Sequence, residues 1–399
     1  MHLMLGSILL FTTGTFINAA APLEPADGKL LLGAWYDRNN SDSPAAINAR
    51  FDYKPLSFFQ TDIDLSGTVK PQASEMNGSW FQYGQDPLGF IAAWIRCITY
   101  WRKALGSNSI KVAFIWSPNS GNGYPYPGDP YSFNVSDTSP ENLANFQALD
   151  TNNNGQLDPE DDPYLPYYPG DEYVDWVGLS IYHYGSEYSD LYHGWDNNVI
   201  PLSGKFENYL NGDPNDPLTY GYAPFYTYFA SSTGCKTRNG TAVSIGNKPL
   251  VISETAATYH FAWIDPTDKP PIPGNATRLE IKQAWWTQFL NTEFLAKYPQ
   301  MKAVSTFEFI KWEEATWRDF TVFGPAPDPD PTSPDFTTDD TDVVVALADY
   351  VKNLSFISFA NTVNESISIA SVTATKSEAR SGTLGPYLIF FFVSFFLFL

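Results

Sequence analysis

Through the middle of the chain, short runs that are apolar almost throughout alternate with longer stretches in which apolar residues recur every three or four positions. The first pattern suits strands buried on both faces, and the second suits amphipathic helices. Candidate strands are 30-LLLGAWYD-37, 56-LSFFQTDIDL-65, 111-KVAFIWSPN-119, 175-DWVGLSIYHY-184, 249-PLVISETA-256 and 303-AVSTFEFIKW-312. Helices read best over 88-LGFIAAWIRCITYWRKAL-105, 277-TRLEIKQAWWTQFLNTEFLAKY-298 and 343-VVVALADYVKN-353, where crossovers between parallel strands belong. Each strand closes in polar or aromatic residues, the arrangement of a (β/α)8 TIM barrel, whose chemistry sits at the carboxyl ends of the strands. The Pro- and Asp-rich stretch 324–342 reads as a surface loop before the last helix.

The alternation is interrupted once. Glu75 follows Leu65 by only ten positions, whereas one βα unit takes about 30 residues or more. Strand three and its neighbouring helices do not fit into that interval. What is there, 66-SGTVKPQAS-74, contains Pro71 and few apolar residues, so it makes a poor fourth strand. The expected fold class is therefore α/β, a barrel lacking strand three and much of strand four. The domain is expected over 24–360, with 119–174 as an insertion too long for an ordinary βα loop.

The two ends read as addresses. Residues 3–16 are apolar and lead into 18-NAAAP-22, the pattern of a signal peptide covering 1–21. Residues 361–385 form a Ser/Thr-rich spacer, and the apolar tail 386–399 fits either a GPI-anchor signal or a short anchoring helix. Both readings place the domain outside the cell, at its surface. Seven N-x-S/T sequons, at Asn39, Asn77, Asn134, Asn239, Asn275, Asn353 and Asn364, agree with secretion.

Charge narrows the partners. A net charge of −21 leaves nothing to neutralise a phosphate backbone, which argues against nucleic acid. Twelve tryptophans and 24 tyrosines fill a large core and leave rings to grip the apolar faces of sugars. The two cysteines, Cys97 and Cys235, are too few for a zinc cluster; Cys97 fits the buried side of a helix, and a bridge to Cys235 stays open. In 150-DTNNNGQLDPED-161, Asp150, Asn152, Asn154 and Gln156 fall at the alternating positions of an EF-hand-type calcium loop and Asp161 at its twelfth place, with Gly155 at the sixth and Leu157 at the eighth. A solvated Asn/Asp-rich turn has the same composition.

Two glutamates are placed for catalysis. Glu254 ends an apolar parallel strand, and Glu75 stands beside a turn-forming Asn-Gly ahead of a helix. Retaining glycosidases need two carboxyl groups about 5–5.5 Å apart, one to attack the anomeric carbon and one to serve in turn as acid and base. A strand-end glutamate also serves as an ion-pair partner. The segments 75-EMNGSWFQYG-84, 115-IWSPN-119, 175-DWVGLSIYHYG-185, 251-VISETA-256 and 307-FEFIKW-312 carry a family likeness. On them the chain resembles glycoside hydrolase family 26, the β-mannanase family among the retaining (β/α)8 hydrolases, over most of residues 30–360.

That resemblance implies Glu75 as acid/base, Glu254 as nucleophile, Tyr182 as the tyrosine that hydrogen-bonds the nucleophile, and Trp312 as the floor of the −1 sugar. Trp80, Trp116 and Asn119 would be subsite contacts or packing. The chemistry it implies uses no metal or other cofactor, so calcium, where bound, would be structural. Ser74 stands where the family usually has histidine, which sets that part of the subsite apart. The implied activity is retaining endo-β-1,4-mannosidase action on a mannan-type polysaccharide. A carbohydrate-binding pseudoenzyme or cell-wall structural protein, inactive through the internal gap, is the reading from another class.

Overall fold

A computed structural model of the chain describes residues 21–60, 85–120, 133–185, 196–213, 223–327, 332–334, 341–360 and 389–394, apart from the single positions 159, 238 and 268. In chain order the strands are β1 (Leu30–Tyr36), β2 (Phe58–Gln60), β3 (Val112–Ser117), β4 (Trp176–His183), β5 (Cys235–Lys236), β6 (Ala242–Ser244), β7 (Leu250–Ala257), β8 (Tyr259–Trp263), β9 (Met301–Glu308), β10 (Ile310–Glu313), β11 (Thr316–Asp319), β12 (Ile357–Ser358) and β13 (Ile389–Ser394). The helices are α1 (Pro44–Phe51), α2 (Pro87–Leu105), α3 (Pro140–Leu149), α4 (Lys205–Asn211), α5 (Arg278–Phe289), α6 (Thr292–Lys297) and α7 (Thr341–Val351).

Six strands form a curled, all-parallel half-barrel in the order β2-β1-β9-β7-β4-β3. The six candidate strands read from the sequence supply these six, an arrangement compatible with an incomplete TIM-type barrel. Short β12 continues the edge of β1 beside β2, and β13 runs parallel to β3 from Ile389 opposite Val112 to Ser394 opposite Ser117. Residues 61–84, where strands three and four were expected to be lacking, lie outside the described residues. So do the leader, the spacer 361–388 and the last residues, 395–399. Among the described residues no helix is long and apolar enough to cross a membrane.

Alternation along the strands sorts side chains into two cores. Leu30, Leu32, Val177, Leu179, Leu250, Ile252 and Val304 face outward and pack under helices through Phe90, Trp94, Trp285, Phe289 and Leu347. Leu31, Ala113, Ile115, Trp176, Val251 and Ala303 face inward and fill the lower barrel. Full burial of a larger aliphatic side chain among them, such as Ile115 or Val251, is worth about 1.5–3 kcal/mol of transfer free energy. Trp35, Ala256, Phe307 and Phe320, with Tyr182 and Tyr184 against them, close its upper part. Gly178 lets β4 approach β3, because a Cβ there would stand 2.5 Å from the Ser117 Oγ.

Local chemistry sets the helix ends. Asp86 caps α2 by accepting the Gly89 amide at 2.8 Å, with Pro87 in its first turn. Thr277 and Glu280 form a reciprocal capping box on α5. The expected single helix over 277–298 divides into α5 and α6, since Asn291 takes an extended backbone and accepts the Phe294 amide at 2.8 Å. The expected strand over 303–312 also divides. β9 stops at Glu308, and β10 turns into an antiparallel sheet of order β10-β11-β8 that stands over the carboxyl ends of β7 and β9. Cys97 is half-buried and Cys235 buried, and both are free thiols.

Candidate active site

Glu254 reaches the barrel interior through a fault in its own strand. In β7, Leu250 and Ile252 face the helices, and Val251 and Ser253 face the interior. Strict alternation would send Glu254 outward. The ladder slips here on both sides: Leu179 and Ser180 of β4 pair with Ile252 and Glu254, and Ile252 and Thr255 pair with Val304 and Thr306 of β9. The extra residue is a β-bulge, which shifts the phase by one and turns Ser253 and Glu254 to the same side. Thr255 then faces outward, where it accepts from the Trp285 indole at 2.9 Å, and Ala256 faces the upper core.

The buried Glu254 carboxylate accepts a hydrogen bond of 2.7 Å from the Tyr182 hydroxyl. Burial, followed by the negative charge of Glu254, pushes the Tyr182 phenol well above its ordinary range, so it stays a proton donor. Tyr184 stacks on Tyr182 at 5.4 Å, and Phe307 and Phe320 meet Tyr182 edge-on at 5.7 and 6.0 Å. Trp35 packs against Phe307 at 5.3 Å. The carboxylate thus sits in an aromatic cup. His183 holds the end of β4 in place: its Nε2 bonds the Val199 carbonyl at 2.8 Å while Lys205 donates to its Nδ1 at 3.0 Å. Burial and the Lys205 charge keep that ring neutral.

The β10–β11 hairpin covers this cup with charge. Arg318 is buried and reaches Asp196 at 2.9 Å, Glu313 at 2.9 Å and Glu314 at 2.7 Å. Its guanidinium lies 5.2 Å from the Tyr184 ring. Lys311 pairs with Glu313 at 2.8 Å and lies 5.2 Å from the Phe307 ring. Behind the hairpin, buried Lys282 and Arg278 hold Asp319 at 3.2 and 3.5 Å. Burial draws the Lys282 ammonium down, and burial raises the Glu308 carboxyl, whose Oε2 accepts the Val322 and Phe323 amides at 2.9 Å.

The other candidates fall in different places. Glu75 and Trp80 lie outside the described residues. Asn119 bridges to Ser180 just beyond β3, at the rim of the half-barrel. Trp116 is fully buried in the outer layer, 5.0 Å from Tyr168 and 5.2 Å from Phe229, so packing rather than sugar contact describes it. Trp312 stands on β10 with 58% of its surface exposed, and its neighbours Lys311 and Glu313 face the cup. Sequence reasoning passed over Lys311, Glu313 and Arg318. The alternation in 310-IKWEEATWRD-319 around Glu-Ala was the available sign of a hairpin.

The 150–161 loop fits a cation in part. Asp150 Oδ1 and Oδ2 accept the Asn154 and Gly155 amides at 3.0 Å, Gly155 takes φ +82°, and buried Leu157 anchors the turn. Asn152 and Asn154 carry their side-chain oxygens on the same arc, accepting the Asn154 and Gln156 amides. Asp161 is engaged differently, capping the amides of Thr151, Asn152 and Asp158 at 2.7, 3.2 and 3.0 Å. Among the described residues, no three His, Cys, Asp or Glu side chains converge as a metal site. No protein-family model matches the chain, and no curated protein matches its sequence.

Proposed function

We propose that the protein is a retaining glycoside hydrolase of the family 26 type, acting on β-1,4-linked mannan-type polysaccharide at the cell surface. The observation that carries this reading is the Glu254 carboxylate, delivered by a bulge into an aromatic cup and held by the Tyr182 hydroxyl at 2.7 Å. In the mechanism, Glu254 attacks the anomeric carbon as the leaving oxygen is protonated, and water then releases the sugar from the glycosyl-enzyme. Tyr182 stabilises the ionised nucleophile by donating to it. Glu75 is the proposed proton donor, and Asn119 is proposed at the subsite rim.

Secretion through the leader and attachment through a GPI signal in 386–399 belong to the same proposal. The described sequon asparagines, Asn39, Asn134, Asn239, Asn275 and Asn353, are all exposed, as attachment of glycans requires. Calcium is proposed in the 150–161 loop on Asp150, Asn152, Asn154 and Gln156; Asp161 would exchange its amide bonds for the ion.

The test is sugar release from a panel of mannans by the wild type beside Glu254→Ala. The reading expects release by the wild type and a loss of at least about a thousandfold in the variant. Equal, near-zero release with retained binding by both would replace it with a carbohydrate-binding pseudoenzyme. The internal gap favours that second reading, because a carboxyl displaced by about 1 Å costs on the order of 100-fold in rate.

A further inference from the structure

The hairpin over the cup carries a partly exposed ion pair beside its buried arginine. Buried Arg318 is clamped by Asp196, Glu313 and Glu314, the last at φ +53° in the two-residue turn. Lys311 bonds Glu313 as well, two positions along the same strand, with side chains 30% and 14% exposed. A partly solvated pair of this kind adds about 0–1 kcal/mol to stability.

Its position is more telling than its strength. The Lys311 ammonium lies 5.2 Å from Phe307 and 5.8 Å from Phe320, and those two rings are the ones set edge-on against Tyr182. Glu313 is held between Lys311 at one oxygen and Arg318 at the other, and Arg318 lies over Tyr184, which stacks on Tyr182. The pair therefore faces the nucleophile across one layer of rings. The cluster of Asp196, Glu313, Glu314, Lys311 and Arg318 holds three negative and two positive charges. Burial holds the adjoining His260 toward its neutral form.

We propose that Lys311 and Glu313 are substrate-binding residues that grip adjacent hydroxyl groups of a neutral sugar at the mouth of the cup. Glu313 accepts from one or two hydroxyls, and Lys311 donates to a hydroxyl or ring oxygen. Bonds to charged partners are the stronger kind. The three carboxylates gathered here and the charge of −21 on the whole chain turn away an acidic glycan, so the site selects neutral polysaccharide over a uronate-bearing one. This rests on the glycoside hydrolase reading above and names the contacts that choose its substrate.

The test compares wild type, Glu313→Gln and Lys311→Met on a neutral β-1,4-mannohexaose, with thermal unfolding of each. The inference expects KM to rise about tenfold or more in each variant, kcat to change less than about threefold, and Lys311→Met to melt within a few degrees of wild type. Calorimetric titration of mannohexaose onto Glu254→Ala, with and without Glu313→Gln, should give the same loss in affinity. An acidic hexasaccharide of galacturonate should bind wild type at least tenfold more weakly than mannohexaose. A wild type that cleaves while both variants keep its KM overturns this inference alone. Variants that melt early but keep KM assign the pair to structure and overturn it as well. A wild type that neither binds nor cleaves overturns the hydrolase reading and this inference with it.

Discussion

The bond from the Tyr182 hydroxyl to Glu254 is the contact on which the proposed chemistry depends most at the scale of single residues. A neutral donor held against a carboxylate lowers the energy of the charged form, and a nucleophile must be charged to attack. Tyr182→Phe removes the bond and keeps the ring against Phe307 and Phe320. We expect kcat to fall about 10- to 100-fold and, because a buried carboxylate loses a donor, stability to fall by about 1–3 kcal/mol, as measured by steady-state kinetics and thermal unfolding. His260 supplies a second prediction. Burial, with the Arg318 charge, brings this imidazole down to about 4, and its Nδ1 lies 2.9 Å from Thr316 Oγ1. The folded state therefore holds it neutral, while the unfolded chain takes up a proton near pH 6.5. Its contribution to stability is complete above pH 6.5 and is lost as pH falls toward 4, on the order of 3 kcal/mol. Denaturant midpoints across pH 4–7 should slope accordingly, and His260→Gln should flatten the slope.

Elements place these residues, and the decisive one is a fault in regularity. Without the bulge in β7, Glu254 would point at the helices and Thr255 into the cup. Next to it the interior is packed to contact: Ser117 Oγ and Ser253 Oγ form a buried hydrogen bond of 2.5 Å, and Gly178 passes close to Ser117. Gly178→Ala would set a Cβ 2.7 Å from the Ser117 Cβ, and we expect it to destabilise the fold by about 1–3 kcal/mol in chemical denaturation, partly restored by Ser117→Gly. The strands themselves were legible in the sequence, because a strand buried on both faces leaves a continuous apolar run such as 249-PLVIS-253. The bulge was not. Its register is decided by β4 and β9 together, and no local residue pattern in 253–254 announces it. The β10–β11 hairpin was missed for a related reason. Phe307, Phe309 and Trp312 extend the aromatic run, and they hide the point where β9 ends and antiparallel pairing begins. The calcium proposal also belongs to an element. At a calcium concentration about 100 times Kd, binding would add about 2.7 kcal/mol, which a chelator should remove as a fall in melting temperature; Asp150→Ala should be insensitive to both.

For the whole molecule, the half-barrel is both the support of the site and its open question. Six parallel strands bring Glu254, Tyr182 and the hairpin charges to one mouth, and the alternation of apolar runs with helical stretches had pointed to such a parallel sheet. The ten positions between Leu65 and Glu75 set the limit of what could be read there. Spacing says that strand three and its neighbouring helices cannot all fit, and it says nothing of how Glu75, the proposed proton donor, is held. The nucleophile can be tested without that donor, because a substrate with an activated leaving group needs no acid. Incubation with a 2-deoxy-2-fluoro-β-mannosyl fluoride should trap the glycosyl-enzyme, and mass spectrometry of the digested protein should find the fluorosugar on the peptide containing Glu254, with none on Glu254→Ala. A wild-type protein that acquires no label, or carries it on another residue, would contradict the account.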